Sequence, residues 1–246
     1  MPRWISPAGQ GVATDLPVIG ETLFAVNLAD ELLALDRLSG TLLWSFGTGV
    51  PNEDYAINST PAVSTDRIFF GGLDGALYAL QAETGRVIWK RPLGGRVSTS
   101  VLLADGSLYA GTLDNRLHRL EPSTGEPTAF LQTEQPPGGR LAAAGACILA
   151  FLGEDSIACA EPSLERIRWV HVPEGRLSSS RPYVWKDFAL VGDGSGKVVA
   201  LRLSDGRPAW SLALSGTIRG IGIGGDTLYA GTLKGMVFAH RLPASP

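Results

Sequence analysis

Cysteine is scarce in this sequence. Cys147 and Cys159 are the two in 246 residues, too few for a scaffold built on disulfides or for a four-cysteine zinc site. Histidine is nearly as rare: His118, His171 and His240 stand far apart with no partner one helical turn away, so each reads as a strand residue rather than a metal ligand or base. There is no lysine or arginine run and the formal net charge is −3, which excludes the electrostatic footprint of a nucleic-acid or anionic-membrane binder. The longest apolar stretch, residues 141–153, falls short of the roughly 20 residues that cross a bilayer as a helix. The opening Met1, Pro2, Arg3, Trp4, Ile5, Ser6, Pro7 lacks the apolar core and small-residue cleavage site of a secretory signal. The stretch Asp193, Gly194, Ser195, Gly196, Lys197 lacks the spacing of a phosphate loop and reads as a hairpin turn. Ser178, Ser179 and Ser180 have no Gly-x-Ser-x-Gly elbow around them, so no nucleophile is supported.

What is abundant is turn chemistry. The 31 glycines and 16 prolines, with 44% apolar and only 18% charged residues, suit a globular chain of many short strands. A repeat organises them. The second copy places Gly-x-x-Asp-Gly-x-Leu-Tyr-Ala-Leu over residues 71–80, then Thr84, Gly85 and Trp89. The first has Leu23, Phe24, Ala25, Val26, then Ser39, Gly40 and Trp44; the third has Leu108, Tyr109, Ala110, Gly111, then Thr124 and Gly125, with Ala129 where a tryptophan would fall. A degenerate fourth ends in Trp169, a fifth in Trp210, and a sixth begins at Leu228, Tyr229 and Ala230. Trp4 stands one period, about 40 residues, before Trp44. Alternation of apolar residues has the period of a strand, and Asp74 with Gly75, like Asp114 with Asn115, suits tight turns that need positive φ. If a two-residue turn sits at Glu154 and Asp155, residue 159 faces 150, and the two cysteines point to opposite faces as free, partly buried thiols.

The expected fold is therefore all-β: a six-bladed β-propeller with four antiparallel strands per blade, the last blade closed by the N-terminal strand. Blade 1 covers about 14–47, blade 2 about 57–92, blade 3 about 96–132, blade 4 about 140–172, blade 5 about 176–214, and blade 6 about 215–243 plus 1–6. Trp4, Trp44, Trp89, Trp169 and Trp210 are expected to pack between blades, since a large aromatic repeated at one position is the usual adhesive of a repeat array.

The motif over 71–80 followed by Thr84, Gly85 and Trp89 resembles the pyrroloquinoline-quinone-like (PQQ-like) propeller repeat, and the resemblance extends along the chain. Families with this repeat include quinoprotein alcohol dehydrogenases, an outer-membrane assembly lipoprotein, and sensor domains of bacterial kinases. The dehydrogenases carry eight blades, a vicinal cysteine pair over the cofactor and a calcium held by Glu, Asn and Asp. This sequence has six copies and cysteines 12 apart, so no cofactor is expected and PQQ is disfavoured. The family habit points to the periplasm or cell exterior if a leader has been removed, and the absence of a signal points to the cytoplasm; the first is the expectation.

Function is expected to be non-catalytic, with a protein partner or small acidic ligand bound at channel-mouth loops of a monomer, as a sensor or assembly module of a larger bacterial system. The alternative is a divergent quinoprotein-like oxidoreductase domain. Arg96 and Arg176 each stand seven residues after a tryptophan, Trp89 and Trp169, Arg140 shares the Gly-Arg context after Gly138 and Gly139, and Arg219 joins them from the last blade. They could present guanidinium forks to a carboxylate or phosphate around one mouth. They could equally make blade-to-blade ion pairs. The long connection after Trp44 carries Asn52, Glu53, Asp54 and Tyr55, a candidate partner loop.

Overall fold

A computed structural model describes residues 3–12, 14–50, 59–177 and 181–242. The chain forms two compact units, residues 1–137 and 138–246. Among the described residues there is no helix, so none long and apolar enough to cross a membrane. Among the described residues six antiparallel sheets follow one another along the chain, five of four strands and a last of three, each in simple chain order. The second sheet illustrates the plan, with strands Ala62–Val63, Arg67–Gly71, Ala76–Gln81 and Val87–Pro92.

The alternation of side chains across each strand builds the core. In the first unit one face of the second sheet, with Ile68, Phe70, Tyr78 and Leu80, packs on Phe24, Val26, Leu32 and Ala34 of the first sheet. Its other face, with Phe69, Leu77 and Ala79, packs on Leu108, Ala110 and Leu120 of the third. In the second unit the fifth sheet is shared in the same way. Ala189, Val191 and Leu201 meet Leu149, Phe151 and Ile157 of the fourth sheet, while Leu190, Val198 and Ala200 meet Ile218, Leu228 and Ala230 of the sixth. Central strands are therefore apolar on both faces, and each buried Phe, Leu or Ile contributes about 1.5–3 kcal/mol. Between third and fourth strands the ladder slips at one repeated point, after Ala34, Ala79, Arg119, Cys159 and Ala200. Such bulges increase local twist.

Tryptophans link sheet to sheet. The Trp44 indole N–H donates to the Ala82 carbonyl at 3.0 Å, Trp89 to Pro122 at 3.0 Å, and Trp169 to Leu203 at 2.9 Å. Each ring lies over the glycine of the following sheet, Gly85, Gly125 or Gly206. These glycines adopt φ of +71°, and a Cβ on Gly85 would lie 2.7 Å from the Trp44 ring. Trp4 makes the same pair of contacts, with Arg37 O at 3.0 Å and Gly40 beneath its ring.

Two expectations are corrected. Residues 3–8 form no strand, and the sheet of Ile218–Gly224, Thr227–Thr232 and Val237–Arg241 has three strands. Pro7 lacks an N–H for a ladder, and it is the indole of Trp4 that anchors this segment, through the backbone of Arg37. The cysteines are a disulfide, not free thiols. The turn after Cys147–Leu152 has three residues rather than two, Leu152 pairing with Ser156, because Gly153 takes a φ of +58°. Leu149 then faces Cys159, which puts Cys147 on the same side as Cys159, one diagonal away with Cα atoms 5.1 Å apart. Both are fully rather than partly buried.

Two stability predictions follow from these contacts. Gly85→Ala, which combines a left-handed backbone with overpacking against Trp44, should lower unfolding free energy by about 3 kcal/mol in urea titration; an unchanged midpoint would refute the account of the Trp–Gly contact. Reduction of the disulfide, verified by thiol alkylation, should lower the urea midpoint by the equivalent of about 3 kcal/mol. Equal midpoints with and without reductant would mean that the staple contributes nothing.

Candidate functional site

The turns between second and third strands all project from one end of their sheets, and they carry the polar chemistry. Two of them are built alike. In the first sheet Asn27 Oδ1 accepts the N–H groups of Ala29 and Glu31 at 2.9 and 3.0 Å. In the fifth, Asp193 Oδ1 accepts those of Ser195 and Lys197, both at 2.9 Å, and the Ser195 hydroxyl at 2.6 Å. A short polar side chain at this position closes the turn by replacing a backbone acceptor.

The other half of each side chain differs. Asn27 Nδ2 donates to Ala8 O and Glu31 Oε2, both at 2.8 Å. Asp193 Oδ2 has no hydrogen-bond partner although the residue is 2% exposed. Beside it lies a cavity of about 280 Å³ lined by His171, Pro173, Glu174, Asp193, Lys197 and Ser211 among others. Lys197 Nζ pairs with Glu174, and burial holds the His171 imidazole below its ordinary range. Gly175 approaches from above: a Cβ there would lie 3.4 Å from Asp193 Oδ2.

A second polar group ties the first two sheets together. Asp30, 2% exposed, accepts the Thr48 hydroxyl at 2.7 Å and the Leu73 N–H at 3.1 Å; burial raises its carboxyl above the usual range against the pull of these bonds. Asp74 accepts the Tyr78 hydroxyl at 2.5 Å and pairs with Lys90 at 2.9 Å. Burial pushes the Asp74 carboxyl up, but its partners Tyr78, Lys90 and the Ala76 N–H together bring it below the usual value. Asp30 Oδ2 and both Asp74 oxygens are bonded within the chain, which marks this cluster as structural.

The candidate arginines do not occupy equivalent positions. Val97, Pro137 and Ile218 each press against the glycine near the end of a second strand, Gly71, Gly111 and Gly192 respectively. Arg96 precedes Val97 directly, whereas Arg140 follows Pro137 by three residues and Arg219 follows Ile218 by one, on the opposite face of its strand. Arg96 and Arg176 do match: their carbonyls accept the N–H of Leu113 and Gly194, at 3.0 and 2.8 Å, beside the neighbouring turn. Arg96 is exposed, and Arg176 forms an exposed pair with Glu154 at 3.0 Å, an interaction of small energy. Arg140 lies on Pro137–Ala144 and Arg219 on Ile218–Gly224. Asn52, Glu53, Asp54 and Tyr55 lie outside the described residues, as do Ser178, Ser179 and Ser180. Trp210 packs in the core shared by the fifth and sixth sheets. Among the described residues no group of three or more His, Cys, Asp or Glu could hold a metal. The reading of residues 193–197 as a hairpin turn agrees with their place between Phe188–Gly192 and Lys197–Arg202. The orphaned oxygen of Asp193 was missed; the one hint in the sequence is that Asn27 holds the same repeat position.

The family described as outer membrane protein assembly factor BamB matches residues 28–220 and, in a second overlapping match, 153–240. The chain belongs to the BamB family of PQQ-like repeat proteins. A solved BamB from Moraxella catarrhalis superposes with a TM-score of 0.82, covering 98% of this chain and 75% of that one at 18% identity, which establishes the BamB fold, a β-propeller. The BamB of Vibrio cholerae is 27% identical over 130 residues, 48% of this chain and 34% of that protein. A 1-butanol dehydrogenase (quinone) of Thauera butanivorans is 28% identical over 102 residues, 38% of this chain and 16% of the enzyme. The chain thus spans about a third or less of these two relatives.

Within this BamB-type propeller, His118 reports on the third sheet. It is buried, with Nε2 3.1 Å from the Thr112 hydroxyl, and burial holds it below its ordinary value of 6.5. The unfolded chain therefore takes up the proton first as pH falls, so the stabilisation is complete above about pH 6.5 and lost below it. Urea midpoints should fall between about pH 7.5 and 5.5, with a flatter profile in His118→Gln; parallel profiles would contradict the assignment.

Proposed function

We propose that this chain is a non-catalytic β-propeller scaffold that holds a protein partner during assembly of outer-membrane proteins, using the end of the sheets from which the second-to-third-strand turns project. The observation that carries the reading is the BamB family match along most of the chain, joined to superposition on a solved BamB over 98% of its length. The six sheets are read as six blades of a monomer. Trp4 fits the same packing, because it contacts Arg37 and Gly40 of the first sheet as Trp44, Trp89 and Trp169 contact the sheet that follows each.

The compartment is read as extracytoplasmic. The buried Cys147–Cys159 disulfide supports it, since such bonds form and persist where the environment is oxidising. Arg96 and Arg176, exposed at matching points beside the turns, favour acidic stretches of the partner. The dehydrogenase reading is weaker. The residues present do not fit a quinone site of that family: the two cysteines are not vicinal but bridge a hairpin, buried in the core between fourth and fifth sheets.

Deleting the gene in its own host tests the reading. The amount of folded outer-membrane β-barrel protein, measured by heat-modifiable gel mobility, should fall several-fold and return with the wild-type gene, but incompletely with Arg96→Glu combined with Arg176→Glu. Unchanged β-barrel protein in the deletion strain would sink the proposal. Dye-linked alcohol oxidation by the purified chain supplied with PQQ and calcium would favour the dehydrogenase instead.

A further inference from the structure

We propose that the cavity beside Asp193 is a binding pocket for a basic side chain of the partner, an arginine guanidinium or lysine ammonium, anchored on Asp193 Oδ2. The proposal deepens the scaffold reading and rests on it for the identity of the ligand as part of a protein.

The argument begins with the turn. Asp193 and Asn27 close equivalent turns with one oxygen each, so the turn itself requires only that oxygen. In the first sheet the remaining atom is a donor, and the chain supplies its acceptors, Ala8 O and Glu31. In the fifth sheet the remaining atom is an acceptor, buried, and the chain supplies no donor. An ionised carboxylate has acceptor capacity only, and a buried acceptor without a partner costs about 1–3 kcal/mol. Whatever satisfies it must bring N–H or O–H groups from outside.

The adjoining space selects among donors. About 280 Å³ is several times the roughly 30 Å³ that one water occupies in the liquid, room enough for the end of a long side chain. The charged lining is Asp193, Glu174 and Lys197, and burial favours the neutral form of His171. One negative charge is left uncompensated, which disfavours anions and favours a cation. Pro173, Val172, Val199 and Pro208 give apolar walls for the methylene stem of a lysine or arginine, and the Ser211 hydroxyl adds an acceptor opposite. Gly175 lies close over the carboxylate, where a methyl would stand 3.3 Å from the carboxyl carbon and 3.4 Å from Oδ2, so only a residue without a side chain covers the buried oxygen.

The test titrates the full chain with N-acetyl-arginine amide, using its neutral isostere N-acetyl-citrulline amide as the control, and follows ¹H–¹⁵N amide shifts. Saturable shifts are expected at Gly175, Ser195 and Lys197, with the citrulline compound weaker by at least about tenfold. Asp193→Asn should fold, because Asn27 holds the same turn, and should lose affinity by a similar factor. Gly175→Ala keeps the charge and closes the approach, so it serves if the first variant unfolds, and it too should lose binding. Absence of saturable shifts at these amides, equal binding of the citrulline compound, or full affinity in both variants would overturn the proposal. Outer-membrane protein levels in the deletion strain do not depend on this titration, so the pocket and the scaffold reading can fail separately.

Discussion

The contact on which the rest of this molecule depends is an indole ring laid over a left-handed glycine of the next sheet. A sheet apolar on both faces has no stable existence alone; it must be covered on both sides. The central strands here meet that demand by alternation, and the tryptophans fix how far one sheet slides over another. Ring, glycine and carbonyl act together. The glycine supplies the positive φ and the missing Cβ, and the carbonyl three residues before it accepts the indole N–H. Removing any one member leaves the others misplaced, which is why the motif recurs as a set.

That interdependence explains what could be read from the sequence. The spacing of Trp44, Trp89, Trp169 and Trp210, with Gly40, Gly85, Gly125 and Gly206, announced the repeat because each residue type answers a steric or conformational need. The cysteine pair was misread for an equally physical reason. Alternation reports which residues share a face within one strand, but the relation between two strands depends on turn length, and one additional residue at Gly153 reverses it. Arg140 shares a Gly-Arg context with Arg96, but that context does not fix register: Pro137, three residues earlier, occupies the place of Val97. The unpartnered oxygen of Asp193 was beyond reach, since it depends on what the loop of residues 173–175 fails to offer.

Polar groups in this propeller divide by whether the chain completes their bonding. Asp30 is a buried acid that accepts the Thr48 hydroxyl and the Leu73 N–H of the neighbouring sheet, and the more exposed Asp74 is bonded within its own sheet by Tyr78 and Lys90. Asp193 is as buried as Asp30 but has all its bonds on one oxygen, leaving Oδ2 without a partner. Local completeness is the rule for buried polar atoms, so an exception located beside a cavity carries more meaning than any number of exposed ion pairs.

The tryptophan contact has a direction. Trp44, Trp89 and Trp169 are each offered forward to a glycine seat in the next sheet, which makes the interface heterologous in the sense used for subunits. A series of such contacts always begins with a seat and ends with an indole. Trp4 occupies the seat at Gly40, whereas the buried indole N–H of Trp210 finds no acceptor. At Gly40 the seat is filled by an indole carried on a segment that forms no strand of its own, so the adhesion belongs to ring, glycine and carbonyl rather than to the strand that delivers the ring.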